Sequence, residues 1–184
     1  MTGDRTNSER MAAVYKTHFT AIRAYCMRRL AVAEANDAVA DVFLTAWRRI
    51  DDLPTGDGEL PYLYGIARNK VMNSRRTSGR RSRLAARAGS LAPETPLGPE
   101  ATVMALSEVD EVDAALLTLR PDDREIIHLR AWEELTGPQI AEVLGISTAA
   151  AQKRLSRALD RLAKQLKPIK STSRPPASQK GGER

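Results

Sequence analysis

A chain of 184 residues with 29 Lys and Arg against 23 Asp and Glu carries a formal charge of +6 and a pI near 9.8. It has room for one or two small domains, and a polyanionic partner is the natural inference from its charge. A lone cysteine, Cys26, excludes an intramolecular disulfide and fits a reducing, cytoplasmic compartment. No run approaches the roughly 18 continuous apolar residues of a spanning helix, which excludes membrane insertion.

Residues 1–10 are polar, lack the apolar core of a signal peptide and are expected to be disordered. From 11 to 31, Val14, Phe19, Ile22, Tyr25, Cys26 and Leu30 recur at mixed spacings, which predicts a helix with a break near 17–20. Cys26 then reads as a small buried hydrophobe rather than a reactive thiol. Val39, Val42, Phe43, Ala46, Trp47 and Ile50 form a wide apolar face on a second helix, with Asn36 as its cap. Asp37 and Asp41 lie at its acidic N-terminal end, where the helix dipole alone accounts for them. Pro54, Gly56 and Gly58 make 51–59 a loop, and Pro61 opens a third helix.

That third helix buries Leu63, Ile66, Ala67 and Val71, while Arg68, Asn69, Met72, Asn73, Arg75 and Arg76 lie elsewhere on its surface. No acid occurs between Leu60 and Pro93, whereas Arg68, Lys70, Arg75, Arg76, Arg80, Arg81, Arg83 and Arg87 are all basic. Asn and Arg can read base edges or hold phosphates, and Tyr62 and Tyr64 just upstream could stack on exposed bases. The tyrosines read equally well as half-buried core residues with wet hydroxyls. Residues 77–108 read as a linker in which 80–88 continue or restart helix and Pro93 to Pro99 are extended and mobile.

Helical periodicity returns with Val109, Val112, Leu116 and Leu119, and Pro121 starts a new helix bearing Ile126, Ile127, Leu129 and Trp132. Thr136 and Gln139 have capping-box spacing, with Pro138 tolerated in the first turn. Ile140, Val143 and Leu144 make a short apolar stripe, Gly145 supplies a left-handed stop, and Ser147 caps a further helix. Ala151, Leu155, Ala158 and Leu162 point inward together on that helix. Thr148, Gln152, Lys153 and Ser156 point outward, flanked by Arg154, Arg157 and Arg161, which suits a recognition helix in a major groove. Four helices therefore occupy 109–166, and the Ser-, Pro- and Lys-rich tail 167–184 is expected to be disordered. His18 and His128 have no partner at metal-ligand spacing, and no phosphate-binding loop or nucleophile elbow occurs, so neither a metal, a cofactor nor an enzyme is expected.

These residues resemble bacterial sigma factors of the extracytoplasmic-function type. The stretch 37–48, D-A-V-A-D-V-F-L-T-A-W-R, resembles that family's D-L-V-Q-E-V-F-L-R-A-W-R, and 62–69, Y-L-Y-G-I-A-R-N, resembles its W-L-Y-R-I-A-R-N. Residues 119–125, L-R-P-D-D-R-E, are similar to its L-P-x-x-x-R-E, and 139–147, Q-I-A-E-V-L-G-I-S, to its E-I-A-E-x-L-G-I-S. The resemblance implies an all-α protein of two small helical domains joined by a flexible linker: region 2 over 11–76 and region 4 over 109–166. It implies that region 2 docks on core RNA polymerase through Asp37 and Asp41 and captures the minus 10 element during melting through Tyr62, Arg68, Asn69, Asn73, Arg75 and Arg76. Region 4 would then read the minus 35 element of promoter DNA through Thr148, Gln152, Lys153, Arg154, Ser156 and Arg157, and an anti-sigma factor is a further partner the resemblance allows. Ala40 stands where the family has Gln, Tyr62 where it has Trp, Ala149 to Ala151 where it has Gly, Thr and Val, and Gln152 where it has Lys. A stand-alone helix-turn-helix regulator would share 121–164, and a helical RNA-binding or antitermination protein would share the basic run 68–87; both remain alternatives at this point.

Overall fold

The structure, a computed structural model, describes residues 2–87 and 106–166, with side chains for 5–80 and 111–166. The described residues are helical with no strand. The first unit comprises α1 (Thr2–Met27), α2 (Val32–Arg48) and α3 (Glu59–Arg87), each packed on the other two, with a short 3-10 turn at Gly56–Gly58 before α3. Ile22, Tyr25, Cys26, Val42, Leu63 and Ala67 are wholly or almost wholly removed from solvent between them. The second unit comprises α4 (Leu106–Thr118), α5 (Pro121–Ala131), α6 (Gly137–Leu144) and α7 (Thr148–Gln165), with Ile126, Leu129, Ile140, Ala151 and Ala158 at its centre.

Three sequence expectations fail in the first unit. α1 is unbroken through 17–20, because its apolar residues serve two neighbours at once and so need not keep the spacing of a single stripe. Nor are residues 2–10 disordered: α1 begins at Thr2, Met11 is buried, and Arg10 donates to the carbonyls of Ile50 (3.0 Å), Leu53 and Pro54 (3.0 Å). Once that anchor nucleates the helix, adding residues upstream costs little. The cap of α2 is Ala31 rather than Asn36, so Asp37 sits past the first turn and the dipole explanation of its charge lapses.

The turn chemistry of the second unit is as expected. The Gln139 side chain accepts from the Thr136 N–H at 2.9 Å, Gly145 sits at φ +65°, and Ser147 Oγ accepts from the Ala150 N–H at 3.2 Å. α6 and α7 thus form a helix-turn-helix held from behind by α5. Within the segment 77–108, α3 continues to Arg87, in keeping with the helix expected over 80–88; Pro93 to Pro99 and the tail 167–184 lie outside the described residues.

The two units are not separate. α3 lies against α6, and one buried apolar cluster runs through both.

Candidate polymerase and promoter interfaces

Asp37 and Asp41 are both exposed on α2, one turn apart, and the same face continues through Leu44 and Arg48. Asp41 pairs with Lys70 of α3 at 3.1 Å, a surface contact of about 0–1 kcal/mol that a partner can displace readily. Beside the acids lies apolar surface that the sequence did not indicate. Leu44 is 45% exposed and Trp47 36%, and Tyr15, 46% exposed, closes an aromatic cluster with Phe19 and Phe43 at centroid distances of 5.0 and 4.7 Å. Periodicity places both Ala46 and Trp47 on the apolar face; Ala46 is fully buried, whereas Trp47 is exposed. An acidic rim around exposed aromatic and aliphatic side chains is the composition of a protein-docking patch.

On α3 the six residues assigned to strand capture divide between two faces. Asn69, Asn73 and Arg76 are exposed and share one side of the helix at spacings of four and three. Arg68 reaches Asp122 of α5 in the second unit at 3.7 Å, whereas Arg75 donates to the carbonyl of Arg29 within the first unit at 3.3 Å. With Met72, Arg76, Gly79 and Arg80 they line a cleft of about 610 Å³ floored by Val71 and Pro121. Tyr62 is half-buried, and Tyr64 is buried with its hydroxyl 3.4 Å from Glu133, so Tyr64 belongs to the core rather than to a base-stacking surface. The loop 51–59 is held by Arg10 and by Gly58, where a Cβ would come within 2.9 Å of Pro54. Neither this cleft nor the one beside α7 is lined by that loop.

Along α7, Thr148, Gln152, Lys153, Ser156 and Arg157 are exposed, and Arg154 is half-buried. Gln152 lies over Gly137 at the N-terminus of α6, where a Cβ would meet its side chain in ordinary contact at 3.7 Å. Lys153, Arg154, Arg157 and Arg161 line a second cleft of about 380 Å³ together with Arg120. Arg120, which caps α5, is a cation that helical spacing on α7 alone could not supply. Arg161 is already committed, because it pairs with the buried carboxylate of Asp123. Among the described residues, Lys153, Arg154, Arg157 and Arg120 are therefore the unpaired cations of the groove, a strip suited to duplex phosphates beside outward polar side chains suited to base edges.

Between the units lies a buried charged cluster. Arg29, in the turn just after α1 and 1% exposed in its side chain, donates from Nε to Glu125 (3.0 Å) and from Nη1 to Glu133 (3.0 Å), with its guanidinium 3.6 Å above the Tyr25 ring. The Tyr25 hydroxyl donates to Glu125 at 2.7 Å, and Arg28 pairs with Glu133. Burial would raise the Glu125 carboxyl, but Arg29 beside it and hydrogen bonds from Arg29 and Tyr25 hold it below the usual carboxylate range. Burial, reinforced by Arg29, pushes the His128 imidazole down to about 4, and its ring stacks on Trp132 at 3.9 Å. His18 pairs with Glu59 at 3.0 Å and so joins α1 to the start of α3.

A helical bundle with an acidic and aromatic docking face, followed by a helix-turn-helix with a basic groove, defines a DNA-binding transcription protein that also docks on another protein. The Sigma-70 region 2 model matches residues 14–81 and the Sigma-70, region 4 model matches residues 109–162. Among curated proteins, the chain is 31% identical to RNA polymerase sigma factor NccH of Alcaligenes xylosoxydans xylosoxydans over 134 residues, covering 71% of this chain and 72% of that one. It is 32% identical over 146 residues to ECF RNA polymerase sigma factor SigD of Mycobacterium tuberculosis, covering 75% and 68%. Among solved structures it resembles CnrH in complex with the cytosolic domain of CnrY (TM-score 0.59, 26% identity, 86% of this chain and 88% of that one). It also resembles the sigma factor RpoE in complex with the anti-sigma factor NepR from Bartonella quintana (TM-score 0.63, 25% identity, 84% and 95%). The chain belongs to the sigma-70 family of RNA polymerase sigma factors, in its extracytoplasmic-function branch.

Proposed function

We infer that this protein binds core RNA polymerase and directs it to a subset of promoters as a transcription initiation factor. The observation that carries the reading is the presence of regions 2 and 4 in one chain, in the family's order, each matched by its own family model. A stand-alone helix-turn-helix regulator would account for region 4 and leave 14–81 unexplained. An RNA-binding protein would account for neither the acidic docking face nor the recognition helix.

Each interface then takes a role. Asp37 and Asp41, with Leu44 and Trp47 beside them, dock on the polymerase. Asn69, Asn73 and Arg76 grip the minus 10 element during melting, with Tyr62, Arg68 and Arg75 joining them once their present contacts are released. Thr148, Gln152, Lys153 and Ser156 read the minus 35 element, and Arg154, Arg157 and Arg120 hold its phosphates. The protein performs no chemistry of its own, acts in the cytoplasm, and offers a surface to an anti-sigma factor, as RpoE does in its complex with NepR.

Reconstitution tests this directly. Purified chain mixed with core polymerase should co-elute and start transcripts at discrete promoters mapped by overexpression. A chain that binds duplex promoter but never associates with core would restore the stand-alone regulator.

A further inference from the structure

The cleft beside α3 has chemistry that strand capture does not require. Arg68, Met72, Arg75, Gly79 and their neighbours recur at helical spacings of three and four, so one face of α3 forms its long wall. Opposite stand Pro121, Asp122 and Glu125 from the first two turns of α5, with Val71 beneath. Its volume of about 610 Å³ lies within the range of small-molecule sites, about 300–1,000 Å³.

Four arginines of this wall meet too few acids. Glu125 is already taken by Arg29 and Tyr25, and Asp122 lies 3.7 Å from Arg68, too far for a hydrogen bond. Arg68 leaves its Nε buried without an acceptor among the described residues, and Arg75 finds only the Arg29 carbonyl. Arg76 and Arg80 are exposed one turn apart, and neither pairs with an acid among the described residues. Burial, and then the charge of Arg75, lower the neighbouring Arg124 guanidinium below its usual range, as expected where positive charge is uncompensated. The missing partner is an anion.

Gly79 keeps the way in clear. It stands inside α3, where a glycine weakens the helix, yet a Cβ there would meet nothing within 4 Å. Close packing therefore does not account for it, whereas any side chain at this position would take up space in the cleft. The other lining groups specify the rest of the ligand. Val71, Met72 and Pro121 offer apolar surface on which an aromatic ring can lie. Asp122, with its side chain 58% exposed and no hydrogen bond of its own, can accept two parallel N–H donors. Guanine presents such a pair, its ring N–H beside its amino group, whereas adenine would turn a ring acceptor toward the carboxylate.

We propose that this cleft binds a guanine nucleotide carrying two or more phosphates, with the base on Met72 and Pro121, its N–H edge on Asp122, and the phosphates on Arg76 and Arg80. Binding does not depend on the sigma-factor reading. Its consequence does, because the ligand would occupy Arg76 beside Arg68 and Arg75, the residues given to the minus 10 strand.

Isothermal titration of the full-length chain at physiological salt tests the site. GDP and GTP should each bind one to one. ADP, inorganic pyrophosphate and a single-stranded mixed-sequence tetranucleotide should each bind at least about tenfold more weakly, since each leaves Asp122 or the apolar floor unmatched. Asp122→Ala, at an exposed position, should bring GDP down to the level of ADP. Gly79→Trp should abolish binding of GDP and GTP, with helicity and thermal midpoint not lowered. The proposal is overturned by absent GDP binding, by pyrophosphate or ADP equal to GDP, by a tetranucleotide equal to GDP, which would make the cleft a strand site only, or by either variant keeping wild-type affinity. For the consequence, the chain is mixed with GDP before core polymerase is added, and promoter opening is followed with a fluorescent base in the minus 10 segment. At GDP tenfold above its dissociation constant and limiting chain, opening should slow by about tenfold for wild type, and the ratio with and without GDP should be near one for Gly79→Trp. Equal ratios for the two proteins would overturn the competition. Failure of both to join core or to open promoter would overturn the sigma-factor reading, while the titration still judged the site.

Discussion

The groove beside α7 allows the electrostatic part of minus 35 binding to be worked out residue by residue. Lys153, Arg154, Arg157 and Arg120 line it with free charge, whereas Arg161 is paired with Asp123. Each phosphate contact contributes about 0.9 to the slope of log affinity against log salt, so four cations give a slope of about 3.6. Arg157→Ala should lower that slope by about 0.9 and weaken all sequences alike. Between about 50 and 200 mM salt its deficit relative to wild type should therefore shrink by a factor of about 3.5, which is four raised to the power 0.9. Arg161→Ala should leave the slope unchanged and instead reduce stability by about 1–2 kcal/mol, because the buried Asp123 carboxylate loses a charged partner that is itself half exposed. Fluorescence anisotropy on a minus 35 duplex and a panel of single-base variants, at four salt concentrations with core polymerase present, measures both quantities. A base-selective loss from Arg157→Ala, or a slope lowered equally by Arg161→Ala, would refute the division drawn here.

Reversing Asp37 and Asp41 together to Lys should abolish association with core polymerase at physiological salt with helicity intact, as gel filtration and circular dichroism would show; retained binding would move the docking face elsewhere. Asn69→Ala with Arg76→Ala should leave core binding unchanged, slow promoter opening, and be largely rescued by a pre-melted bubble. A defect that the bubble does not rescue would confine both residues to duplex contacts. Stability should fall on acidification, since His128 is held at about 4 in the fold against an ordinary value near 6.5. A group whose pKa is lowered by folding contributes its full stability above the unfolded value and loses it as pH falls through the folded one. The window is therefore about pH 6.5 down to 4, with the Glu125 contribution following below the ordinary carboxylate range. Fully buried, His128 would account for about 3 kcal/mol; its partial exposure reduces this to about 1–2 kcal/mol. Urea unfolding of His128→Gln across that window should show the shallower pH dependence, and a slope equal to wild type would remove His128 as the cause.

What the sequence determined by itself is what depends on neighbours along the chain. Thr136 with Gln139, Gly145 and Ser147 specify a helix, a left-handed stop and a second cap within a dozen residues, and all three form as read. The outward set on α7 follows from helical spacing alone, as does the one-turn separation of Asp37 and Asp41. Tertiary structure decided whatever depends on a residue distant in sequence. α1 reaches back to Thr2 because Arg10 finds carbonyls some 40 positions away, at Ile50 and Pro54. Trp47 is exposed while Ala46, on the same apolar face, is fully buried. Arg120 joins the groove of α7 from another helix, and Arg161 is withdrawn from it by Asp123. Above all, Arg29 meets Glu125 and Glu133 across about 100 residues of chain. Periodicity reports which face of a helix is apolar, but a buried Arg looks like any surface Arg until its carboxylates arrive from another part of the fold.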